Sequence, residues 1–431
     1  MRDLALILTL AVLVPLSIPF PLVGLFAWEW LSLMNPHRLT WGFAQQAPFV
    51  MVVALVTMLG WVLSKERGNL KMSTFLVLIG VFSVWISITT LFAPVPEMSV
   101  PLWDRNIKTM MMIVMILALV TSRVRIHGLV WIIAISLAYY GIKGGAFVIL
   151  TGGNYIVFGP ADSMIQDNNS LALALIITLP LLNYLRQHTA NKWLRYAVMG
   201  AMFLTFAGAI GSYSRGAIIA LGAILGFLWL KSPAKIITGP ALVCAILVGV
   251  MAMPAKYMDR LNTLNNVMED ESFRGRLDAW EVAWETAKDH PLGAGFDGPR
   301  QPVIWDNYLP ERPARASHSI YFMVLGEHGF IGLGIYLLIC AVCWRNLQRV
   351  RKLTAEKAET KWAHDLAFAL QVSMVGFLVG GAALPMAYYD GFFSLLAMTT
   401  ALLRMVQTAA APAEERRLAG FRRPAPAAAG A

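Results

Sequence analysis

Charge is what this 431-residue chain has least of: 14% of its residues are Asp, Glu, Lys or Arg, against 58% hydrophobic. A soluble domain of this length needs a charged shell that such a composition cannot supply. Cysteine is scarce too. The three present, Cys244, Cys340 and Cys343, all fall in apolar runs, so no disulfide framework is implied. Cys340-x-x-Cys343 has the spacing of a redox pair, but inside an apolar run and without a βαβ context it reads as two small apolar residues. The sequence has no His-x3-His, no Asp-x-Asp and no paired carboxylates at a span end, so no metal site is expected. Alternation with a ten-residue rhythm is missing, which excludes an outer-membrane barrel. Internal repeats and matching broken helices in two halves are missing as well, which weakens a transporter reading.

What is there in quantity is apolar sequence, with a mean hydropathy of +0.61. Several runs reach the ~20 residues a helix needs to cross a hydrocarbon core. The fold class is an all-α polytopic integral membrane protein with about twelve transmembrane helices, near 4–34, 46–63, 72–92, 106–121, 128–150, 169–186, 193–211, 214–230, 236–253, 319–345, 366–384 and 388–406. The first run has no cleavage site and is interrupted by Pro15, Pro19 and Pro21. It reads as a retained bent span or as a hairpin of two short helices.

The net charge of +10 collects in alternate short loops, among them Lys65/Arg67/Lys71, Arg123/Arg125 and the Arg345–Lys361 stretch. The opposite short loops hold only Arg38 and Arg105. This is the positive-inside pattern, and it leaves nucleic-acid binding without support. It predicts an inner-membrane protein with both termini cytoplasmic. Residues 1–253 then carry about nine spans, 254–318 form a large periplasmic loop, 319–408 carry about three spans, and 409–431, rich in Ala and Pro, form a disordered tail. Within the loop, 273–289 reads as a helix with Arg276, Trp280 and Trp284 on one side, facing lipid headgroups or packed into a small cap.

Ionisable groups at the outer ends of spans are costly in hydrocarbon and are candidates for function. Arg215, after Tyr213 and Ser214, opens a span where helix N–H groups favour an anion, and its planar fork suits phosphate. His318 also opens a span, where the helix N-terminus disfavours imidazolium, so a neutral ring able to accept a proton is expected. Lys143, before Gly144-Gly145, snorkels outward or supplies a charge to phosphate. Arg105 and Lys108 form a cationic pair at i, i+3. Asp167-Asn168 is a helix N-cap or a binder of sugar hydroxyls. Arg274, Glu327 and Asp390 complete the outer set.

Ser214-Arg215-Gly216, Phe273-Arg-Gly-Arg276-x3-Trp280, His290-Pro-Leu-Gly-Ala-Gly-Phe296 and Ser317-His318-Ser-Ile-Tyr321-x4-Gly326-Glu327-x-Gly329 together resemble the O-antigen ligase/polymerase superfamily. The stretches 34–43 and 167–173 are similar to its exosortase-associated O-glycosylation ligase branch. The resemblance implies a GT-C-like membrane glycosyltransferase, independent of metal and cofactor, with a glycan on undecaprenyl diphosphate as donor and membrane lipids around it. It implies Arg215 and Arg276 as diphosphate ligands, Arg276 being preferred over Arg274, and His318 as base. The leading expectation is an inverting ligase that moves the glycan to lipid A–core in lipopolysaccharide biosynthesis. The alternatives are a polymerase or an O-linked protein oligosaccharyltransferase with the same donor, and, from another class, a lipid or polysaccharide exporter.

Overall fold

In the computed structural model, residues 1–237, 239 and 271–410 are described, and every regular element among them is helical. Most of the expected span 236–253, the first part of the loop and nearly all of the 409–431 tail lie outside the described residues. The main helices are α1 (Arg2–Leu16), α2 (Pro21–Met34), α3 (Phe49–Leu63), α4 (Thr74–Leu91), α5 (Pro96–Leu119), α6 (Arg123–Leu150), α7 (Asn168–His188), α8 (Lys192–Ile210), α9 (Arg215–Lys231), α10 (Glu271–Asp289), α11 (Ile320–Thr354), α12 (Lys361–Gly380) and α13 (Asp390–Ala410).

The expected twelve spans are not reproduced. Among the described residues, seven helices are both long and apolar enough to cross a membrane: α4, α6, α7, α8, α11, α12 with its flanking turns, and α13. The others depart for separate reasons. α3 and α9 have 15 and 17 residues, and a 15-residue helix reaches only about 22 Å. α5 has 24 residues, but its first thirteen carry Glu97, Asp104, Arg105 and Lys108.

The run 4–34 is two helices. Pro15 sits in the last turn of α1, and Pro21 takes the first position of α2, where its missing N–H costs nothing. The turn between them packs near the C-terminal end of α3, where a Cβ at Gly60 would come within 2.4 Å of the Ser17 carbonyl. At the other end Arg2 donates to the Leu39 carbonyl at 3.1 Å. The pair is therefore a hairpin, and Arg2 lies at the same end of the bundle as the loop 35–48. At the opposite, basic end Arg404 of α13 donates to the carbonyls of Asn69 and Leu117. Arg2 and Arg404 thus lie at opposite ends of the helix bundle, with the extra reversal at Ser17–Phe20 between them.

Polar caps start the helices: Ser73, Ser122, Asp167, Asn191 and Ser214 each accept from a backbone N–H in the following turn, at roughly 1 kcal/mol apiece. The α6–α8 contact depends on glycine. A Cβ at Gly145 would come within 2.0 Å of the Leu204 carbonyl, and Gly208 faces Gly141 across the same seam, so the backbones touch. Cys340 and Cys343 are buried free thiols.

α11 is broken at Gly329, whose φ of 67° and ψ of −175° leave the helix. A break frees carbonyls, and buried carbonyls need partners. The segment 290–296 supplies them: Ala294 N–H donates to Gly326 and Gly295 N–H to Glu327, while the Trp85 indole donates to His328. Gly293 and Gly295 take positive φ here and sit too close to neighbouring backbone or side chains for a Cβ. The glycine-rich stretch is thus the plug for a helix break.

Candidate active site

The end of the bundle opposite the basic loops is assembled by side chains that tie loops to helix starts. Asp167 caps α7 through Oδ1, which accepts from the N–H groups of Asn169 and Ser170 at 2.9 and 3.0 Å. Next to it Asn168 Nδ2 donates to the Ser212 carbonyl at 2.7 Å. That bond fixes the turn 211–214, whose Tyr213 takes a left-handed φ of 56° and donates its hydroxyl to the Gly153 carbonyl. Arg215 follows as the first residue of α9, half-buried. Leu384 lies against Gly216, and Gly381, in the same turn, lies against Ile320, the first residue of α11. Arg215 and His318 are therefore linked through one turn of chain.

His318 stands just before α11, half-buried, with φ of 44°. A non-glycine residue in this region stores about 1–3 kcal/mol, and such positions cluster at functional sites. Burial lowers the pKa of its imidazole, Arg276 and Arg315 push in the same direction, and Asp167 opposes them. The start of α10 lies against the loop before α11, where Arg315 runs across Gly275, and Asp167 at the start of α7 is near enough to act on the charge of His318. The imidazole is neutral near pH 7, with a carboxylate at hand to stabilise the imidazolium once it forms.

α10 is held over this place by α11. Trp280 stacks on Phe322 with ring centroids 4.9 Å apart and planes 7° apart, and its indole donates to the Ser317 carbonyl at 2.6 Å. Trp280 belongs to a cap. Trp284 is 47% exposed and touches Phe330 edge-on. Arg274 is exposed, whereas Arg276 is half-buried and near enough to His318 to act on its charge. Arg315, absent from the sequence reading, lies across Gly275 and adds a further cation. Its one signal is its place three residues before the histidine.

Other expected site residues fall elsewhere. Lys143 is exposed on the face of α6 that also exposes Tyr139 and Ile142; the glycines after it serve the α8 contact, and its own side chain is the snorkelling kind. Glu327 is 4% exposed and already engaged, accepting from the Tyr388 hydroxyl at 2.6 Å and the Asp297 N–H at 2.9 Å. It braces the helix break. Replacing Glu327 with Ala orphans two buried donors, at about 1–3 kcal/mol each, so a clear drop in the thermal midpoint of the detergent-solubilised protein is expected. An unchanged midpoint would show that the brace carries no weight. Arg105, Lys108 and Asp390 line a separate cavity with Arg38 and Asp162. His328, passed over in the sequence, is fully buried with Nδ1 2.7 Å from the Thr89 hydroxyl and its ring edge-on to Phe296. It packs behind the site.

Residues 200–337, which hold Arg215, Arg276 and His318, match a family described as O-Antigen ligase. This match supports a relation of residues 200–337 to the O-antigen ligase-like superfamily and an activity of the ligase or polymerase type. Residues 1–190 match a family of unknown function (DUF5935). No curated protein matches the chain.

Proposed function

We propose that the protein is an inverting glycosyltransferase that moves a preassembled glycan from undecaprenyl diphosphate to lipid A–core at the periplasmic face of the inner membrane. The reading rests on the neutral imidazole of His318, on whose charge Arg276 and Asp167 act from close by, with Arg215 at the adjoining helix start. The architecture is then that of a GT-C-like enzyme whose short helices α1–α3 and α9 complete a bundle of more than seven crossings.

The donor enters laterally from the lipid, and its diphosphate lies between the guanidinium groups of Arg215 and Arg276, whose forks match phosphate oxygens. His318 takes the proton of an acceptor hydroxyl. The oxygen attacks the anomeric carbon from the side opposite the diphosphate, the bond to the leaving oxygen breaks, and that oxygen departs with the electron pair. The centre inverts. Charge grows on the departing diphosphate as the imidazolium forms, so the arginines act most strongly in the transition state, and Asp167 steadies the imidazolium.

The test is transfer by the purified full chain, given an undecaprenyl-diphosphate glycan and rough lipopolysaccharide with a chelator present. A mass gain on the lipopolysaccharide, unaffected by the chelator, is the expected result. Transfer only to a protein or to a second glycan would replace the acceptor, and loss with chelator would overturn the metal-free mechanism.

A further inference from the structure

A cavity of about 390 Å³ opens between the loop 35–48, α5, the start of α13 and the loop that contains Asp162. This volume lies in the range of small-molecule sites, about 300–1,000 Å³. Most of its lining comes from residues 1–190, outside residues 200–337.

Its charges are balanced. Three cations, Arg38, Arg105 and Lys108, face three carboxylates, Asp104, Asp162 and Asp390. Lys108 pairs with Asp104 and Arg38 with Asp162, the latter at 3.4 Å, and Arg105 lies close enough to Asp390 to act on its charge. Thr109 donates to Asp390 at 2.6 Å. The remaining titratable group, His37, is held neutral by burial and by Arg38, which lower it to about 4. A diphosphate needs a net positive site, and this one offers none. Gln45 and Gln46 add amides that both donate and accept. Paired guanidinium and carboxylate groups beside amides present many hydrogen-bond partners without net charge, and a polyhydroxyl ligand uses all of them.

The cavity lies within reach of the proposed reaction centre. Asp162 on its wall is five residues from Asp167 beside His318, so their Cα atoms are at most about 18 Å apart. A short oligosaccharide bridges that span. Resting on the glycosyl-transfer reading of the site, we infer that this cavity is a carbohydrate subsite, separate from the diphosphate contacts, that holds an uncharged stretch of the transferred glycan or of the glycan acceptor. Arg105, Lys108 and Asp390 therefore act on sugar hydroxyls.

Gln46 and Asp162 are exposed, so Gln46→Ala and Asp162→Asn leave the fold intact. Saturation-transfer NMR on the full chain would measure binding of three probes: the oligosaccharide released by mild acid from the polyprenyl-linked donor, the core oligosaccharide released from rough lipopolysaccharide, and undecaprenyl diphosphate itself. One of the two oligosaccharides should bind to the wild type and about tenfold more weakly to each variant, which also tells donor from acceptor; undecaprenyl diphosphate should bind all three proteins alike. Variants that weaken undecaprenyl diphosphate instead, or that leave both oligosaccharides unchanged, would overturn the inference. Binding needs no turnover. Oligosaccharide binding without transfer by the wild type would sink the proposed function and leave the subsite standing, whereas transfer with no effect of either variant on oligosaccharide binding would do the reverse.

Discussion

His318→Asn is expected to reduce glycan transfer by about 10²–10⁴-fold, the usual contribution of a positioned general base, while the protein keeps its thermal midpoint. Asn is the informative replacement because position 318 has a φ of 44°. Asn tolerates the left-handed region far better than Ala or a β-branched residue, so the turn before α11 survives and only the proton acceptor is lost. Donor binding should be nearly unchanged, because His318 is not among the diphosphate ligands. Single-turnover transfer and undecaprenyl diphosphate binding on the same preparation separate the two effects. A variant that transfers at the wild-type rate would remove His318 from the mechanism.

The arginines carry the second large effect. Arg276→Ala should cost about 10²–10³-fold in turnover, as does loss of one donor aimed at developing charge, and Arg276→Lys should restore only part of it because the ammonium lacks the planar fork. The same variant has a second signature. Arg276 helps to depress the pKa of His318, so its removal raises that pKa, protonates more of the base at a given pH and moves the acid limb of the rate profile upward. Asp167→Asn should move the limb downward, since Asp167 opposes the depression. Opposite displacements from two charge-removing variants are difficult to produce by a general loss of structure. Rate profiles over the weakly acidic range check both, and limbs that stay fixed would mean that His318 does not titrate in the rate-limiting step.

The helical class was legible from composition, because a chain with so few charges can bury its backbone only in lipid-facing helices. The number of crossings was not. Hydropathy sees one run from residue 4 to 34, but the reversal at Ser17–Phe20 depends on close packing of Gly24 and Gly60 against the turn, which no local window contains. Among the candidate residues, Arg215 and His318 were visible because caps and turns announce helix starts. Arg276 could be told from Arg274 only by the helix face that α11 covers. Glu327 and Lys143 look alike in sequence, as ionisable groups near a span end; one is tied down by Tyr388, from 61 residues further on, and the other is turned outward by the α6–α8 seam. Arg315 needed the fold, since its effect comes through Gly275 and the place of α10.

The central claim is that Arg215 and His318 open to one water-filled pocket at the outer leaflet. In a chain with Cys244, Cys340 and Cys343 replaced by Ser, Arg215→Cys and His318→Cys would be labelled separately with a membrane-impermeant maleimide applied to right-side-out vesicles. Both thiols should label from outside, and undecaprenyl diphosphate should protect both. Labelling of the two from opposite sides, or protection of neither, would contradict the account.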